Sequence, residues 1–319
     1  MNLLKEIGKA KSIAIAGHIR PDGDCISSTL ALRGYLKNAR PDAKITVFTE
    51  DNPPTIFSYL TGYDEMNLTY SPKEKYDVFI ALDVSSLDRL GESMWFFEQA
   101  DKTLCVDHHE TNPGLADVNE IRPKASSTCE VLFTLFEKKY IDKAVAECLF
   151  TGIVHDSGVF QYSNMSRESF EIVGQLVEYD FDGPAIIQDT FYVKSYVQNQ
   201  ILGRALLESI LFMDGKCIVS MIDRKMMDFY NVLPKHLEGI VNQLKNTRGV
   251  EVAIFMYEMG SQRYKVSMRS NGGVNVAKVA TVFGGGGHDR AAGVEMNGTY
   301  YDIINALSKE ISRQIEGQD

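Results

Sequence analysis

The chain has 319 residues, 44% hydrophobic and 24% charged, with a net charge of −10. These proportions fit a soluble globular protein with material for two cores and exclude a disordered or low-complexity chain. With no block of lysine or arginine, the acidic balance argues against unassisted binding to long duplex or single-stranded nucleic acid, while leaving room for short substrates gripped by a few residues.

In chain order, the N-terminal Met1-Asn2-Leu3-Leu4-Lys5-Glu6 lacks a basic region followed by a long apolar run, so no signal peptide is expected. No stretch approaches the ~18 apolar residues of a membrane helix. Residues 12–16 (SIAIA) read as a buried strand ending at Gly17, followed by helical spacing over 24–38. Strands are expected at 44–49, 76–83 (YDVFIALD), 103–106 (TLCV) and 117–121, and helices at 127–138 and 143–154. This alternation predicts a doubly wound, mainly parallel sheet in an α/β domain over 1–190. From 168 to 209 the pattern is mostly helical, broken at Gly183-Pro184, and 191–210 reads as a helical connector. Strands at 216–222, 250–257 and 263–269, then helices at 275–283 and 300–315, predict a smaller α+β domain over 211–319.

The five cysteines at 25, 105, 129, 148 and 217 form no CxxC pair, which points to buried free thiols in a reducing cytoplasm. A catalytic cysteine is the weaker alternative, because a better site lies elsewhere.

That site is a set of histidines and aspartates, each closing or following an apolar segment: His18-x3-Asp22-Gly23-Asp24, Asp83, Asp107-His108-His109 and Asp156-Ser157-Gly158. In parallel sheets, chemistry collects beyond the carboxyl ends of the strands. Each piece has a bland alternative. Pro-Asp-Gly-Asp is good turn chemistry, Asp83 suits a helix cap, and Asp-His-His suits a polar loop. His155 reads as a helix-end or core histidine and is set aside. Together the pieces supply His18, Asp22 and Asp83 to one divalent metal and Asp24, Asp83, His108 and Asp156 to a second, with Asp83 bridging. Asp107 would orient a neighbouring group. Mixed carboxylate and imidazole donors suit Mn²⁺, with Mg²⁺ or Co²⁺ as substitutes. Two such cations, about 3.5–4 Å apart, activate water for phosphoester cleavage.

Gly284-Gly285-Gly286-Gly287-His288 is neither a Walker loop nor a dinucleotide fingerprint, because no Gly-Lys-Ser/Thr follows and a helix precedes it. Its backbone N–H groups could cradle an oxyanion, with His288 adding a donor. Arg269, at a strand end, could clamp a phosphate. A flexible turn and a solvated arginine are the respective alternatives.

These motifs together resemble the DHH phosphoesterase superfamily along nearly the whole chain. Gly284–His288, followed by Asp289-Arg290-Ala291-Ala292-Gly293, resembles its DHH-associated domain. The combination is most similar to the bifunctional oligoribonuclease and 3′-phosphoadenosine-5′-phosphate (pAp) phosphatases, the nanoRNases. The resemblance implies a cytoplasmic, Mn²⁺-dependent enzyme with its site in a cleft between domains and the ligand set above. Catalytic roles fall to Asp83, Asp107 and His109, the last contacting the scissile phosphate or protonating the leaving group. Arg269, Gly285, Gly286, Gly287 and His288 match substrate-binding positions. The implied substrates are short RNA oligonucleotides and pAp. Hydrolysis of linear or cyclic dinucleotides (pApA, cyclic di-AMP) is the alternative. A manganese pyrophosphatase fits less well, because the Ser-Arg-Lys-Lys cluster of that family is absent, and a non-catalytic nucleotide-binding module would have lost ligands. Homodimer formation is left open. Pro123-x-Ala125-Ser126-Ser127-Thr128 resembles another family segment, without an assigned role.

Overall fold

The short apolar runs of the first half lie side by side, and those at 12–16, 78–82 and 102–107 are buried on both faces. The computed structural model describes residues 1–49, 53–162 and 164–317, and the chain divides into two compact units, Met1–Val193 and Lys194–Asp319. In the first unit, β1 (Ser12–Ala16), β2 (Lys44–Phe48), β3 (Val78–Leu82), β4 (Lys102–Asp107) and β5 (Val118–Ile121) form a five-stranded sheet of order β2-β1-β3-β4-β5. Every neighbouring pair is parallel, as the alternation predicts. Its helices are α1 (Leu3–Ile7), α2 (Gly23–Ala39), α3 (Met94–Gln99), α4 (Thr128–Leu135), α5 (Lys143–Asp156), α6 (Arg167–Leu176) and α7 (Gly183–Ile187).

Successive side chains of a strand point to opposite faces. Ile13 and Ile15 therefore join one core with Ile80 and Leu82, beneath Leu30, Leu132 and Leu149 of α2, α4 and α5. Ala14 and Ala16 join a second core with Phe48, Phe79 and Phe96. The strand order reverses at β1, which has β2 on one side and β3 on the other. The segments leaving β1 and β3 thus diverge and open a crevice at their carboxyl ends, where such sheets bind ligands.

The second unit contains α8 (Tyr196–Leu207), α9 (Arg224–Tyr230), α10 (Ile240–Lys245), α11 (Val276–Val282) and α12 (Tyr300–Ile315). Its strands β6 (Ile210–Phe212), β7 (Cys217–Ile222), β8 (Val252–Gly260), β9 (Arg263–Ser270), β10 (Gly286–His288) and β11 (Ala291–Asn297) form a mixed sheet of order β10-β11-β9-β8-β7-β6. α8 lies within the stretch read as a connector, and its Ile201 and Ala205 are buried in this unit's core. No helix among the described residues is long and apolar enough to cross a membrane.

The glycine run contains a strand that the sequence did not signal. Gly286–His288 is an edge strand paired antiparallel with Ala291–Gly293, a stretch whose alanines and glycine gave no strand signal. A Cβ on Gly285 would lie 2.4 Å from the Gly293 carbonyl oxygen, and one on Gly287 2.4 Å from that of Ala291. Close backbone approach thus requires both glycines.

Gly152 of α5 meets a similar demand, because a Cβ there would lie 2.3 Å from Cys129 Sγ and 2.6 Å from Asp24 Oδ1. Gly152→Ala should therefore destabilise the fold by about 1–3 kcal/mol through overpacking, although alanine is the better helix former. Denaturant unfolding of the two proteins measures the difference.

Candidate metal centre

The turn leaving β1 carries the first donors. His18 is buried, and its Nδ1 lies 2.8 Å from the Ile19 carbonyl oxygen. Its Nε2 faces Asp22 and Asp83, each 3.6 Å away. Asp22 caps α2, with Oδ1 accepting from the N–H groups of Asp24 and Cys25 at 3.1 Å, and its other oxygen faces His18. Asp22 stays at the exposed rim while Asp24 is buried, so the Pro-Asp-Gly-Asp turn divides its two acids.

Asp24 is held by the start of α4. Its Oδ2 accepts from the Thr128 N–H at 2.7 Å and its Oδ1 from the Cys129 N–H at 3.1 Å, two of the donors that a helix N-terminus leaves unpaired. The Thr128 hydroxyl donates to Asp83 Oδ1 at 3.1 Å. The Ser126-Ser127-Thr128 segment, left without a role by the sequence, thus anchors two of the acids. Asp83 follows β3 with φ +57°, a left-handed conformation unusual outside glycine, and its N–H donates to the Val106 carbonyl. Such strain concentrates at functional sites.

His108 Nε2 lies 3.6 Å from Asp83 Oδ1 and 3.4 Å from Asp156 Oδ2 at the end of α5. His109 turns the other way. Its Nδ1 donates to Asp107 Oδ1 at 2.8 Å, while Asn112 donates to Asp107 Oδ2 at 2.8 Å. Asp107 is completely buried and His109 is 39% exposed, so the carboxylate aims the imidazole and leaves Nε2 outward.

Burial, followed by the charge of Asp24, pushes Asp83 up to about 7. Asp156 rises to about 7 and Asp24 to about 6, each mainly through burial. Burial also opposes ionisation of Asp107, but His109 and Asn112 outweigh it and hold the carboxyl below the usual range. The Asp107 hydrogen bond raises His109 to about 9.

This donor set fits divalent cations. Oxygen and imidazole donors of Asp83, His108 and His109, and of Asp24, His108 and Asp156, converge within 4.8 Å. Histidines are the ion-pair partners of Asp22, Asp83 and Asp156. Cys25 lies near His18 and Asp83, but burial pushes its thiol well up and makes it a poor ligand. His155, set aside in the sequence, lies edge-on to Phe57 and Phe191 and bonds the Thr190 hydroxyl. Arg89 escaped the sequence reading, having no motif. Its Nη2 lies 2.8 Å from His18 Nδ1 and its carbonyl accepts from the Ile19 N–H.

In the second unit, Arg269 stands opposite Ala291, which stands opposite His288. Directly opposed residues share a face, so Arg269 and His288 flank the small Ala291 on one side of the sheet. Arg269 Nε donates to Asn242 Oδ1 at 3.1 Å. The Gly285 N–H is taken by the Ala280 carbonyl, so it does not join an open cradle, whereas Gly286, Gly287 and His288 are exposed.

Residues 12–153 match the DHH family N-terminal domain and residues 214–317 the DHHA1 domain. The chain thus carries a DHH N-terminal domain followed by a DHHA1 domain. It is 26% identical to the bifunctional oligoribonuclease and PAP phosphatase NrnA of Thermus thermophilus, covering 98% of this chain and 95% of that protein. It is 24% identical to the protein of the same name from Bacillus subtilis, covering 92% of each. The crystal structure of an exopolyphosphatase-related protein from Bacteroides fragilis shares the fold, with a TM-score of 0.90 at 24% identity over 99% of this chain and 96% of that one.

Asp24, Asp83 and Asp156 titrate above the ordinary carboxylate value of 3.8, so folding disfavours their ionised forms. In metal-free protein, their contribution therefore destabilises progressively as pH rises from about 4 to about 7. Asp83→Asn should raise the melting temperature of metal-free protein at pH 8, change it little at pH 4, and reduce the shift in melting temperature that added divalent cation produces. Thermal melts with and without chelator measure all three effects.

Proposed function

We propose that this protein is a Mn²⁺-dependent phosphohydrolase that degrades short oligoribonucleotides to mononucleotides and converts pAp to AMP. The observation that carries this reading is the convergence of His18, Asp22, Asp24, Asp83, His108 and Asp156 on one crevice, beside an imidazole held by a buried carboxylate. The names of relatives that align over nearly the whole chain support the substrate class.

His18, Asp22 and Asp83 would hold one cation, and Asp24, Asp83, His108 and Asp156 the other. Cations held there would supply positive charge to acidify water and neutralise the phosphate. Asp24 and Asp83 are pre-positioned by Thr128 and the N-terminus of α4, which limits reorganisation during the reaction. His109, protonated at neutral pH, donates its Nε2 proton to the leaving oxygen, and Asp107 fixes the ring and stabilises its charge. Arg269 and His288 hold a terminal phosphate of the substrate, and that preference separates small phosphate-ended nucleotides from long polymers. The acidic surface suits this division, because few phosphates need holding.

Chelation should abolish hydrolysis of pAp and of two-to-five-residue RNA, and Mn²⁺ should restore it, with Mg²⁺ and Co²⁺ assayed alongside. Turnover that persists in chelator would overturn the reading. A parallel panel of pAp, pApA and cyclic di-AMP ranks the substrates.

His109→Ala should lower kcat by about 10²–10⁴-fold. Wild-type activity should decline as pH rises through about 9, where His109 loses its proton. Asp107→Asn should move that limb down toward 6.5, the ordinary histidine value. A pH–rate profile of both proteins tests the assignment.

A further inference from the structure

The segment after Asp156 carries a feature that the cation site does not need. Gly158, Val159 and Phe160 all have left-handed backbone, with φ of 58°, 58° and 63°. Left-handed conformation costs an L-residue about 1–2 kcal/mol, and a β-branched valine tolerates it especially poorly. The turn is tied down from inside. Ser157 Oγ accepts from the Phe160 N–H at 3.0 Å and donates to the Ile153 carbonyl, and the Val159 N–H reaches the Val154 carbonyl at 2.8 Å. The Phe160 ring packs against Phe150 and Phe170.

The turn brings the chain back on itself, with the N–H groups of Gln161 and Tyr162 both donating to the Ser157 carbonyl. The Tyr162 ring then lies against Gly158. Its Cζ, Cε1 and Cε2 are 2.4, 2.7 and 2.7 Å from where a Cβ on Gly158 would stand. One side of the ring is backed by the glycine, yet 51% of the residue is exposed. Its hydroxyl makes no hydrogen bond among the described residues. The strained turn thus displays an aromatic ring close in the chain to Asp156, and neither burial nor the hydroxyl accounts for it.

We infer that Tyr162 is the stacking platform for the nucleobase of the nucleotide whose phosphoester is cleaved. The inference rests on the phosphoesterase reading above and adds what holds the uncharged end of the substrate. A site built from carboxylates repels phosphates that its cations do not hold, whereas stacking ignores charge and accepts any base. The rigid backing of Gly158 limits the entropy lost when a base docks. Strain held by a hydrogen-bonded turn beside a site is a recurrent functional arrangement.

Calorimetry on the Mn²⁺-loaded protein with AMP and with ribose 5-phosphate tests the proposal. The wild type should prefer AMP by about tenfold or more. Tyr162→Leu, which keeps bulk but loses the π face, should bring the two affinities together, and Tyr162→Phe should keep the preference. In the wild type, 2-aminopurine riboside 5′-monophosphate should lose fluorescence on binding, a readout independent of any variant. An undiminished preference in Tyr162→Leu, equal weakening of both ligands, or unquenched binding overturns the proposal. Absent pAp turnover with a ring-dependent AMP preference would remove the phosphoesterase reading and leave the platform standing. Normal turnover with a ring-independent preference would do the reverse.

Discussion

Aspartates 22, 24, 83, 107 and 156 gather at the carboxyl end of a sheet buried on both faces, and the cost of desolvating them shapes their surroundings. Water is largely excluded from Asp24, Asp83 and Asp107, while Asp22 stays at the rim. The neighbourhood answers with oriented dipoles instead: the first N–H groups of α4 for Asp24, the Thr128 hydroxyl for Asp83 and the capped start of α2 for Asp22. These dipoles only partly offset the burial of Asp24 and Asp83, which remain hard to ionise. The donor set therefore suits a divalent cation, whose charge would offset that burial in a form that protein side chains of this size cannot match.

Asp107 shows the opposite solution a few ångströms away. It is as buried as Asp24, yet its carboxyl stays below the usual range because His109 and Asn112 both donate to it. Similar burial thus produces carboxylates that await a cation and one that holds a proton on its neighbour. Groups whose environments drive their pKa values apart mark an acid–base division of labour.

Much of this was legible in the sequence. The five parallel strands were visible as short runs between helical stretches, the central three buried on both faces, and the donors were visible because each closes or follows an apolar segment. The roles of Thr128 and Arg89 were not, because both act across long sequence separations and neither belongs to a pattern of its own. β10 and β11 were hidden for a different reason. Their glycines and alanines have little intrinsic strand preference, and pairing with β9 supplies the order. The helical pattern of 191–210 was plain, but which core α8 would join depends on contacts that periodicity does not encode.

The same glycines fix which way β10 is read. Where Gly285 and Gly287 touch the opposing strand, a side chain has no room. If β10 slid by one residue so that His288 took the place of Gly287, its Cβ would meet the Ala291 carbonyl, and the imidazole would move to the face away from Arg269. The run thus acts as a key cut by omission, in which missing side chains encode an alignment that attractive contacts alone would leave degenerate. Length changes in this hairpin therefore obey a parity rule: an odd number of residues reverses the imidazole, while an even number preserves its side only if glycines again fall at the two points of contact.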